Sequence, residues 1–247
     1  PEVVELCNYL IEAGARICGK GTAFIEIEGV KKLHDVEYKL PPDRIVAGTY
    51  MSAVAAAGGK VILEDVPIRH MESTIRVLRK TGCLIDTDEN RVKITAPARP
   101  YAISLIRTQP YPGFPTDMQS QLMSVLCKAD GVSTIHEQIF ESRYQNVNEL
   151  KKMGAKIEVD HQSNKAVITG VKKMYGALVQ AHDLRGGAAL VIAGLAAEGT
   201  TVVTEADSIE RGYEDICRDL TAIGAKVRYC SDNIQYMMKQ DKLDAVH

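Results

Sequence analysis

The stretch "KMGAKIEVD", residues 152–160, decides the fold because variants of it recur along the chain. A helix that ends at a glycine and runs into a strand is also read in "EAGARICGK", "KTGCLIDTD" and "AIGAKVRYC". The glycines of the four copies are Gly14, Gly82, Gly154 and Gly224, at spacings of 68, 72 and 70 residues. A fixed period of this length indicates a repeated structural unit. Glycine at this point predicts a left-handed conformation just after the helix.

A second glycine series repeats with the same period. Gly59, Gly131 and Gly199 lie 72 and 68 residues apart, in "AAAGGKVILEDV", "CKADGVSTIHEQ" and "LAAEGTTVVTEA". Together the two series predict units that read helix, strand, helix and then a strand pair, such as "KIEVDHQ" and "KAVITGV". We therefore expect three whole units over 44–230. By the same period, residues 1–43 are expected to hold the end of a fourth unit, and 231–247 a C-terminal tail.

The helices of a unit are of two kinds. "GTYMSAVAAAGG" (48–59) and "GGAALVIAGLAAEG" (186–199) are apolar almost all round, whereas "NVNELKKMG" and "YEDICRDLTAIG" have one polar face. A helix that is apolar on every side is buried on every side. The pattern therefore predicts an α/β fold with helices in the centre and strands outside, which is an inside-out α/β barrel of three repeats. Periodicity alone leaves open a set of two-layer α/β sandwiches.

The composition excludes several function classes. With 247 residues, 45% hydrophobic and 25% charged, the chain is typical of a soluble globular protein. Its 30 Lys and Arg against 32 Asp and Glu give no basic excess for nucleic acid, and no apolar run is long enough to span a membrane. Six scattered cysteines without a CxxC pair favour reduced thiols in a cytosolic protein, and no metal site or cofactor-binding motif is found.

The segment "FPTDMQSQ", residues 114–121, places a carboxylate at the start of a predicted helix. Local rules favour a capping role: Thr116 as the N-cap, Asp117 in the first turn near the positive end of the helix dipole, and Gln119 completing a capping box. On these residues alone, that structural role is preferred over a functional one.

Arginines stand at the corners of successive units. Arg143, in "FESRYQNVNEL", precedes an amphipathic helix that is predicted to begin near Asn146, and Arg211, in "IERGYEDI", holds the equivalent place in the next unit. Asp183 and Arg185, in "AHDLRGGAAL", precede the apolar helix. This last pair fits an anion site at a helix start as well as it fits an aspartate cap with an ion-paired arginine. Together the arginines suggest a basic rim at one end of the domain.

Four motifs resemble one family. "YPGFPTDMQSQ" (111–121), "HDLRGGAALVIAGLAAEGTTVV" (182–203), "IERGYEDI" (209–216) and the junction "LPPDRIVAGTY" (40–50) are similar to those of the UDP-N-acetylglucosamine enolpyruvyl transferases (1-carboxyvinyltransferases). The resemblance extends to about residue 230. It implies two inside-out α/β domains that close over an active site, this chain being the C-terminal portion. The family's cysteine acid and its phosphoenolpyruvate-binding lysine then belong to the missing N-terminal domain.

The resemblance also implies an activity. The family transfers the enolpyruvyl group of phosphoenolpyruvate to the 3-hydroxyl of UDP-N-acetylglucosamine with release of phosphate, the first committed step of bacterial peptidoglycan synthesis. It implies a cytoplasmic enzyme without a cofactor or metal, whose partners are the two substrates and the N-terminal domain. An alternative from another class is a non-catalytic binding or regulatory module that kept the fold without the partner domain.

Positions within the matched motifs imply the site residues. Asp117 matches the carboxylate that holds the sugar hydroxyl and accepts its proton, and Ile139, in "EQIFESR", matches a backbone contact to the nucleotide sugar. The implied catalytic residues are Asp117, Asp183 and Arg211. The implied substrate-binding residues are Asp117, Ile139, Arg143, Arg185 and Arg211, of which Arg211 grips phosphoenolpyruvate. We expect Asp117, Arg143, Asp183, Arg185 and Arg211 to face one open end of a single domain.

Overall fold

The computed structural model describes residues 1–230, which form two compact units. The first unit is Pro1–Asp43, and the second begins at Arg44. In the first unit, helix α1 (Glu2–Glu12) has Pro1 as its N-cap and is followed by the antiparallel strands β1 (Arg16–Cys18) and β2 (Glu26–Glu28). The predicted tail, 231–247, lies outside the described residues.

The second unit repeats the predicted order of elements. The first repeat has α2 (Arg44–Ala57), β3 (Lys60–Leu63), α3 (Glu72–Lys80), β4 (Leu84–Asp88) and β5 (Arg91–Thr95). The second has β6 (Ile106–Arg107), α4 (Gln119–Leu126), β7 (Val132–His136), α5 (Val147–Lys152), β8 (Lys156–Asp160) and β9 (Lys165–Thr169). The third has β10 (Leu178–Gln180), α6 (Leu184–Leu195), β11 (Val202–Thr204), α7 (Asp207–Glu210) and α8 (Ile216–Ala222).

Two features depart from the predicted repeat. The short strands β6 and β10 were not predicted, and they pair in parallel with β7 and β11. The strand predicted directly after Gly224 is wrong over 225–230, where no strand forms. In the first two repeats this strand, β4 or β8, pairs with the strand that follows it in the chain. For the third repeat, the segment that follows lies outside the described residues.

The glycines of both series have the predicted left-handed backbone. In the first series φ is between +90° and +99°, at Gly14, Gly82, Gly154 and Gly224. In the second it is between +81° and +115°, at Gly59, Gly131 and Gly199. Because side chains other than glycine are strained at such φ values, these positions fix where each helix or loop turns into a strand.

The core of the second unit is made of helices. The helices α2, α4 and α6, one from each repeat, pack against one another, and nearly all of their side chains are buried. Some polar groups inside this core are paired: Ser124 Oγ donates to the carbonyl of Ala189 at 2.7 Å, and Gln121 Nε2 donates to Thr49 Oγ1 at 3.2 Å. Among residues 1–230, Gln119 Nε2 and Gln121 Oε1 are buried without a hydrogen-bond partner. A core shared by all three repeats confirms the central helices and excludes separate two-layer sandwiches.

The strands lie outside the helices in three sheets. Their orders are β3-β5-β4, β6-β7-β9-β8 and β10-β11. One face of each larger sheet is buried, as in the pair Ile157 and Ile168, while the other carries polar pairs such as Asp86 and Lys93. The inside-out α/β arrangement is confirmed. Within residues 1–230, however, the sheets remain separate and no sheet closes into a continuous barrel.

Candidate active site

The segment that carries Asp117 is a single turn of 3-10 helix, Thr116–Met118, ahead of α4. The predicted cap is wrong, because neither helix has a side-chain cap and Pro115 occupies the N-cap position of the turn. The Thr116 hydroxyl instead donates to Glu137 Oε2 at 3.0 Å. The Gln119 side chain is buried, and its oxygen accepts from the Ser120 hydroxyl at 3.1 Å instead of completing a capping box. Asp117 lies in the first turn, as predicted, and its side chain is 43% exposed.

The proline-rich approach to Asp117 is held by its own backbone. The Gln109 N–H donates to the carbonyl of Phe114 at 2.9 Å, and the Gly113 N–H donates to that of Pro110 at 2.8 Å. Ser73 Oγ, on α3, donates to the carbonyl of Gly113 at 2.9 Å. The Phe114 side chain is buried in the core. These contacts fix the chain immediately before the carboxylate.

Two arginines converge on Asp117. Arg143 Nη2 donates a hydrogen bond to Asp117 Oδ1, and Arg185 Nε lies 3.7 Å from the same oxygen. The arginine side chains are only 15% and 16% exposed. Desolvated cations of this kind need a compensating anion, and Asp117 supplies it.

The guanidinium of Arg143 is held from several sides. Its Nε donates to the carbonyl of Thr116 at 3.4 Å, and its Cζ lies 4.7 Å from the centre of the Phe140 ring. The neighbouring Tyr144 is buried, and its hydroxyl donates to the carbonyls of Ile135 and Asn164, each at 3.1 Å. Burial raises the pKa of Tyr144 to about 12, so this hydroxyl stays a donor at neutral pH and anchors the Arg143 loop.

At the start of α6 the structure shows the aspartate cap and an ion-paired arginine, one of the two roles that the sequence left open. Asp183 is the N-cap, and its Oδ1 accepts from the Gly186 N–H at 2.7 Å. Arg185 is paired with Asp117, yet its Nη1 is buried and has no hydrogen-bond partner among residues 1–230. A Cβ at Gly187 would lie 2.7 Å from Ile209 Cγ1, so close packing onto α7 requires a glycine there.

Among the described residues, Ile139 and Arg211 make no hydrogen bond or ion pair with Asp117, Arg143 or Arg185. The Ile139 side chain is 41% exposed, and its N–H donates to Glu137 Oε1 at 2.8 Å. Arg211 is exposed, and its side chain makes no hydrogen bond or ion pair with another described residue. Its neighbour Gly212 packs against Leu184, where a Cβ would lie 2.7 Å from Cδ1. The structure thus joins Asp117 to Arg143 and Arg185 directly, places Asp183 on the helix of Arg185, and leaves the Arg211 side chain unattached.

Comparison with known proteins identifies the family. The sequence profile described as EPSP synthase (3-phosphoshikimate 1-carboxyvinyltransferase) matches residues 1–220. The chain belongs to this family. Among solved structures, the enolpyruvyl transferase NikO from Streptomyces tendae superposes with a TM-score of 0.80 at 25% identity, over 92% of this chain and 54% of that one. EPSP synthase from Acinetobacter baumannii superposes with a TM-score of 0.67 at 18% identity, over 89% of this chain and 54% of that one, which shows the shared fold.

The relatives found by sequence have a more specific name than the family profile. UDP-N-acetylglucosamine 1-carboxyvinyltransferase 2 of Caldanaerobacter subterraneus subsp. tengcongensis is 52% identical over 92% of this chain and 54% of the relative. The UDP-N-acetylglucosamine 1-carboxyvinyltransferase of Thermotoga maritima is 45% identical over 93% of this chain and 54% of the relative. The resemblance stated from the motifs is therefore confirmed. The chain spans about half the length of the curated relatives it matches.

Three further observations concern binding sites and membrane segments in the rest of the described chain. A groove of about 640 Å³ on the outer face of α3 is lined by Arg69, Arg76, Arg79 and Lys80, but by none of the predicted site residues. Within residues 1–230, no three His, Cys, Asp or Glu side chains are grouped to hold a metal ion. None of the helices described is long and apolar enough to cross a membrane.

Sequence reasoning missed Glu137, which accepts hydrogen bonds from both segments of the site. It follows strand β7 directly, and its side chain is 1% exposed. The one available signal was a charged residue at the end of an alternating strand, "VSTIHE", whose buried positions are Ser133, Ile135 and Glu137. That alternation puts a carboxylate on the core face, where an acidic residue needs several donors.

Proposed function

We propose that the chain is the C-terminal portion of a UDP-N-acetylglucosamine 1-carboxyvinyltransferase. In this proposal it takes part in transfer of the enolpyruvyl group from phosphoenolpyruvate to the 3-hydroxyl of UDP-N-acetylglucosamine, with release of phosphate. The observation that carries the proposal is the convergence of Arg143 and Arg185 on the half-exposed carboxylate of Asp117. The 52% identity to a relative of that name supports the choice of substrates.

The chemistry needs a proton acceptor and several cations. The sugar hydroxyl adds to the central enol carbon of phosphoenolpyruvate while the methylene carbon gains a proton. The tetrahedral intermediate then expels phosphate and loses a proton from its methyl group, which restores the enol double bond. Asp117 would accept the hydroxyl proton. The acid that protonates the methylene carbon would come from the N-terminal domain.

The arginines suit the anionic groups of phosphoenolpyruvate. In the structure, Arg143 and Arg185 are occupied by Asp117, and Arg185 Nη1 remains a buried donor without a partner among residues 1–230. Phosphate and carboxylate oxygens bind guanidinium groups in paired hydrogen bonds. Such a ligand would draw the arginines from Asp117 and leave its carboxylate free for the sugar hydroxyl. Arg211, exposed beside the start of α6, would be a further phosphate ligand. Asp183 would orient that helix start.

The backbone of Ile139 can offer a ligand one polar group. Its N–H is already bound to Glu137, whereas its carbonyl accepts no hydrogen bond from the described residues. The proposed contact with the nucleotide sugar therefore uses the carbonyl, and the ligand must supply a hydroxyl or amide donor.

The remaining parts of the proposal concern the whole protein. Residues 1–43 would be the end of a first inside-out domain with its crossover, and the site would be completed by that N-terminal domain. The reaction would serve peptidoglycan synthesis, and hence cell shape and division, in the cytoplasm of a bacterium without a cofactor.

The test supplies the missing half. The chain is mixed with the N-terminal half of the Caldanaerobacter relative, phosphoenolpyruvate and UDP-N-acetylglucosamine, and phosphate release is measured. We expect release that falls by roughly a hundredfold or more on Asp117→Asn, since general-base catalysis contributes about 10²–10⁴-fold. The matched control Asp88→Asn, an exposed carboxylate at the end of β4, leaves the rate unchanged. Association of the halves without phosphate release would refute the proposal and favour a non-catalytic module.

A further inference from the structure

We propose that Glu137 is the positioning residue of this site, holding the Asp117 segment with one carboxylate oxygen and the Ile139 segment with the other. The inference rests on the proposed function, because it gives these two segments their part in the reaction. It assigns to Glu137 no contact with a substrate.

The carboxylate of Glu137 is buried and fully engaged. Its side chain is 1% exposed at the end of β7. Oε1 accepts from Thr108 Oγ1 at 2.6 Å, from the Ile139 N–H at 2.8 Å and from the Phe140 N–H at 3.1 Å. Oε2 accepts from Thr116 Oγ1 at 3.0 Å. Four donors converge on one side chain that solvent does not reach.

The direction of these hydrogen bonds suits an ionised carboxylate. Two of the four donors are backbone N–H groups, which cannot reverse their role. Thr108 Oγ1 accepts from the Gln138 N–H at 2.8 Å, which leaves its own proton directed at Glu137. Hydrogen bonds to an ionised acceptor are about twice as strong as neutral ones, so this network is stiffer than the same geometry around an amide.

The Oε2 side of the network sets the proposed proton acceptor. Thr116 precedes Asp117 in the same turn of 3-10 helix. Its hydroxyl is held by Glu137, and its carbonyl accepts from Arg143 Nε at 3.4 Å. Loss of the hydroxyl contact would let the turn shift and would move Asp117 relative to Arg143.

The Oε1 side sets the proposed sugar contact. Binding of two successive N–H groups, those of Ile139 and Phe140, fixes the peptide planes on both sides of Ile139. The Ile139 carbonyl is therefore held in one direction. The Phe140 ring, placed by the same contacts, lies against Arg143. One side chain thus fixes the spacing between the two segments that the proposed reaction brings together.

Three variants test this assignment. Glu137→Gln removes the charge and keeps the shape. Thr116→Val removes only the contact to Oε2. Glu158→Gln, an exposed carboxylate on β8, is the matched control. Amide hydrogen exchange is followed by NMR on the chain alone, steady-state kinetics are measured on the mixture of the two halves, and urea unfolding checks that each variant folds.

The variants should separate the two sides of the network. In Glu137→Gln, exchange at Ile139 and Phe140 quickens by about tenfold, the value of roughly one hydrogen bond to a charged group. The KM for UDP-N-acetylglucosamine rises and kcat falls by similar factors, while the KM for phosphoenolpyruvate rises less, because Arg143 is only indirectly held by Glu137. Thr116→Val lowers kcat alone and leaves the exchange of both amides unchanged. Glu158→Gln changes none of these quantities.

Several results would overturn the inference. Unchanged amide exchange at Ile139 in Glu137→Gln would show that the carboxylate does not fix that segment. Equal changes in both KM values would show a general loss of structure rather than positioning. If Glu137→Gln fails to fold, Thr116→Val with full kcat would reject the role in placing Asp117. If the unaltered mixture shows no turnover, the proposed function is refuted. The amide exchange of Ile139 and Phe140 in the chain alone would still show whether Glu137 holds that segment.

Discussion

The unequal contacts of Asp117 with its two arginines predict unequal coupling energies. Arg143 donates a direct charge-assisted hydrogen bond to Asp117, whereas Arg185 approaches the same oxygen at 3.7 Å without one. Two unit charges at that separation attract by about 1 kcal/mol in water and by roughly 4 kcal/mol at an effective dielectric constant of 20. Because Asp117 is 43% exposed, solvent screening brings the expected net values well below the upper figure.

We therefore expect a coupling of about 1.5 kcal/mol for Asp117 with Arg143 and about 0.5 kcal/mol with Arg185. The perturbations are Asp117→Asn, Arg143→Gln and Arg185→Gln, combined in two double-mutant cycles. The assay is urea unfolding of the chain, with the free energy of unfolding taken from midpoints at constant slope. At 1 M salt, where the screening length is about 3 Å, the Arg185 coupling should fall more than the Arg143 coupling. A coupling to Arg185 equal to or larger than that to Arg143 would refute the geometry of the site.

Three other predictions concern packing, acid stability and thiol reactivity. Gly187→Ala should destabilise the chain by about 1–2 kcal/mol, because its methyl would lie 2.7 Å from an isoleucine of α7. Gly48→Ala, whose methyl meets the flexible end of a methionine, should lower the free energy of unfolding by less in the same urea assay. The opposite order would contradict this packing. Burial opposes ionisation of Glu149, but hydrogen bonds from a lysine and a backbone N–H outweigh it and hold its pKa below the ordinary 4.5. Its contribution to stability is thus present above pH 4.5 and lost as pH falls through the lower pKa of the folded state. Glu149→Gln should therefore reduce the loss of stability in acid. An unchanged dependence of stability on pH in this variant would contradict the prediction. Burial raises the pKa of Cys127 to about 12. Mass spectrometry after thiol labelling at pH 8 should therefore find the exposed Cys18 modified and Cys127 unmodified until the chain unfolds. Modification of Cys127 before unfolding would contradict its burial.

The sequence predicted the repeat because its markers are local. A glycine with positive φ is common where a helix turns directly into a strand, so Gly82 and Gly154 marked the period without any knowledge of tertiary contacts. All-round apolar character likewise identified α2 and α6 as central. The helix α4 was predicted but not recognised as central, because its Gln119, Ser120, Gln121 and Ser124 look like a solvent-facing set, although all four are buried. Their partners include residues more than sixty positions away, which no local pattern records.

The sequence predicted the residues of the candidate site one by one, but not the contacts between them. Local rules made Thr116 a cap, and they failed because a carboxylate from another strand, Glu137, binds its hydroxyl. Family resemblance supplied Arg143 and Arg185, but their joint approach to Asp117 depends on how the second and third repeats pack. The hydrogen bond from Thr116 to the buried Glu137 depends on tertiary packing, and no local sequence pattern predicts it.

The mutual packing of α2, α4 and α6 sets a requirement on the chain during its synthesis. The end of α2 and the start of α6 are about 130 residues apart. At a translation rate of about 5–20 residues per second, roughly ten seconds separate their emergence from the ribosome. For that time the apolar faces of the first helix have no third partner to cover them. Each copy of this chain therefore passes through an interval in which the apolar surface of α2 is open to aggregation before its native partner has been made.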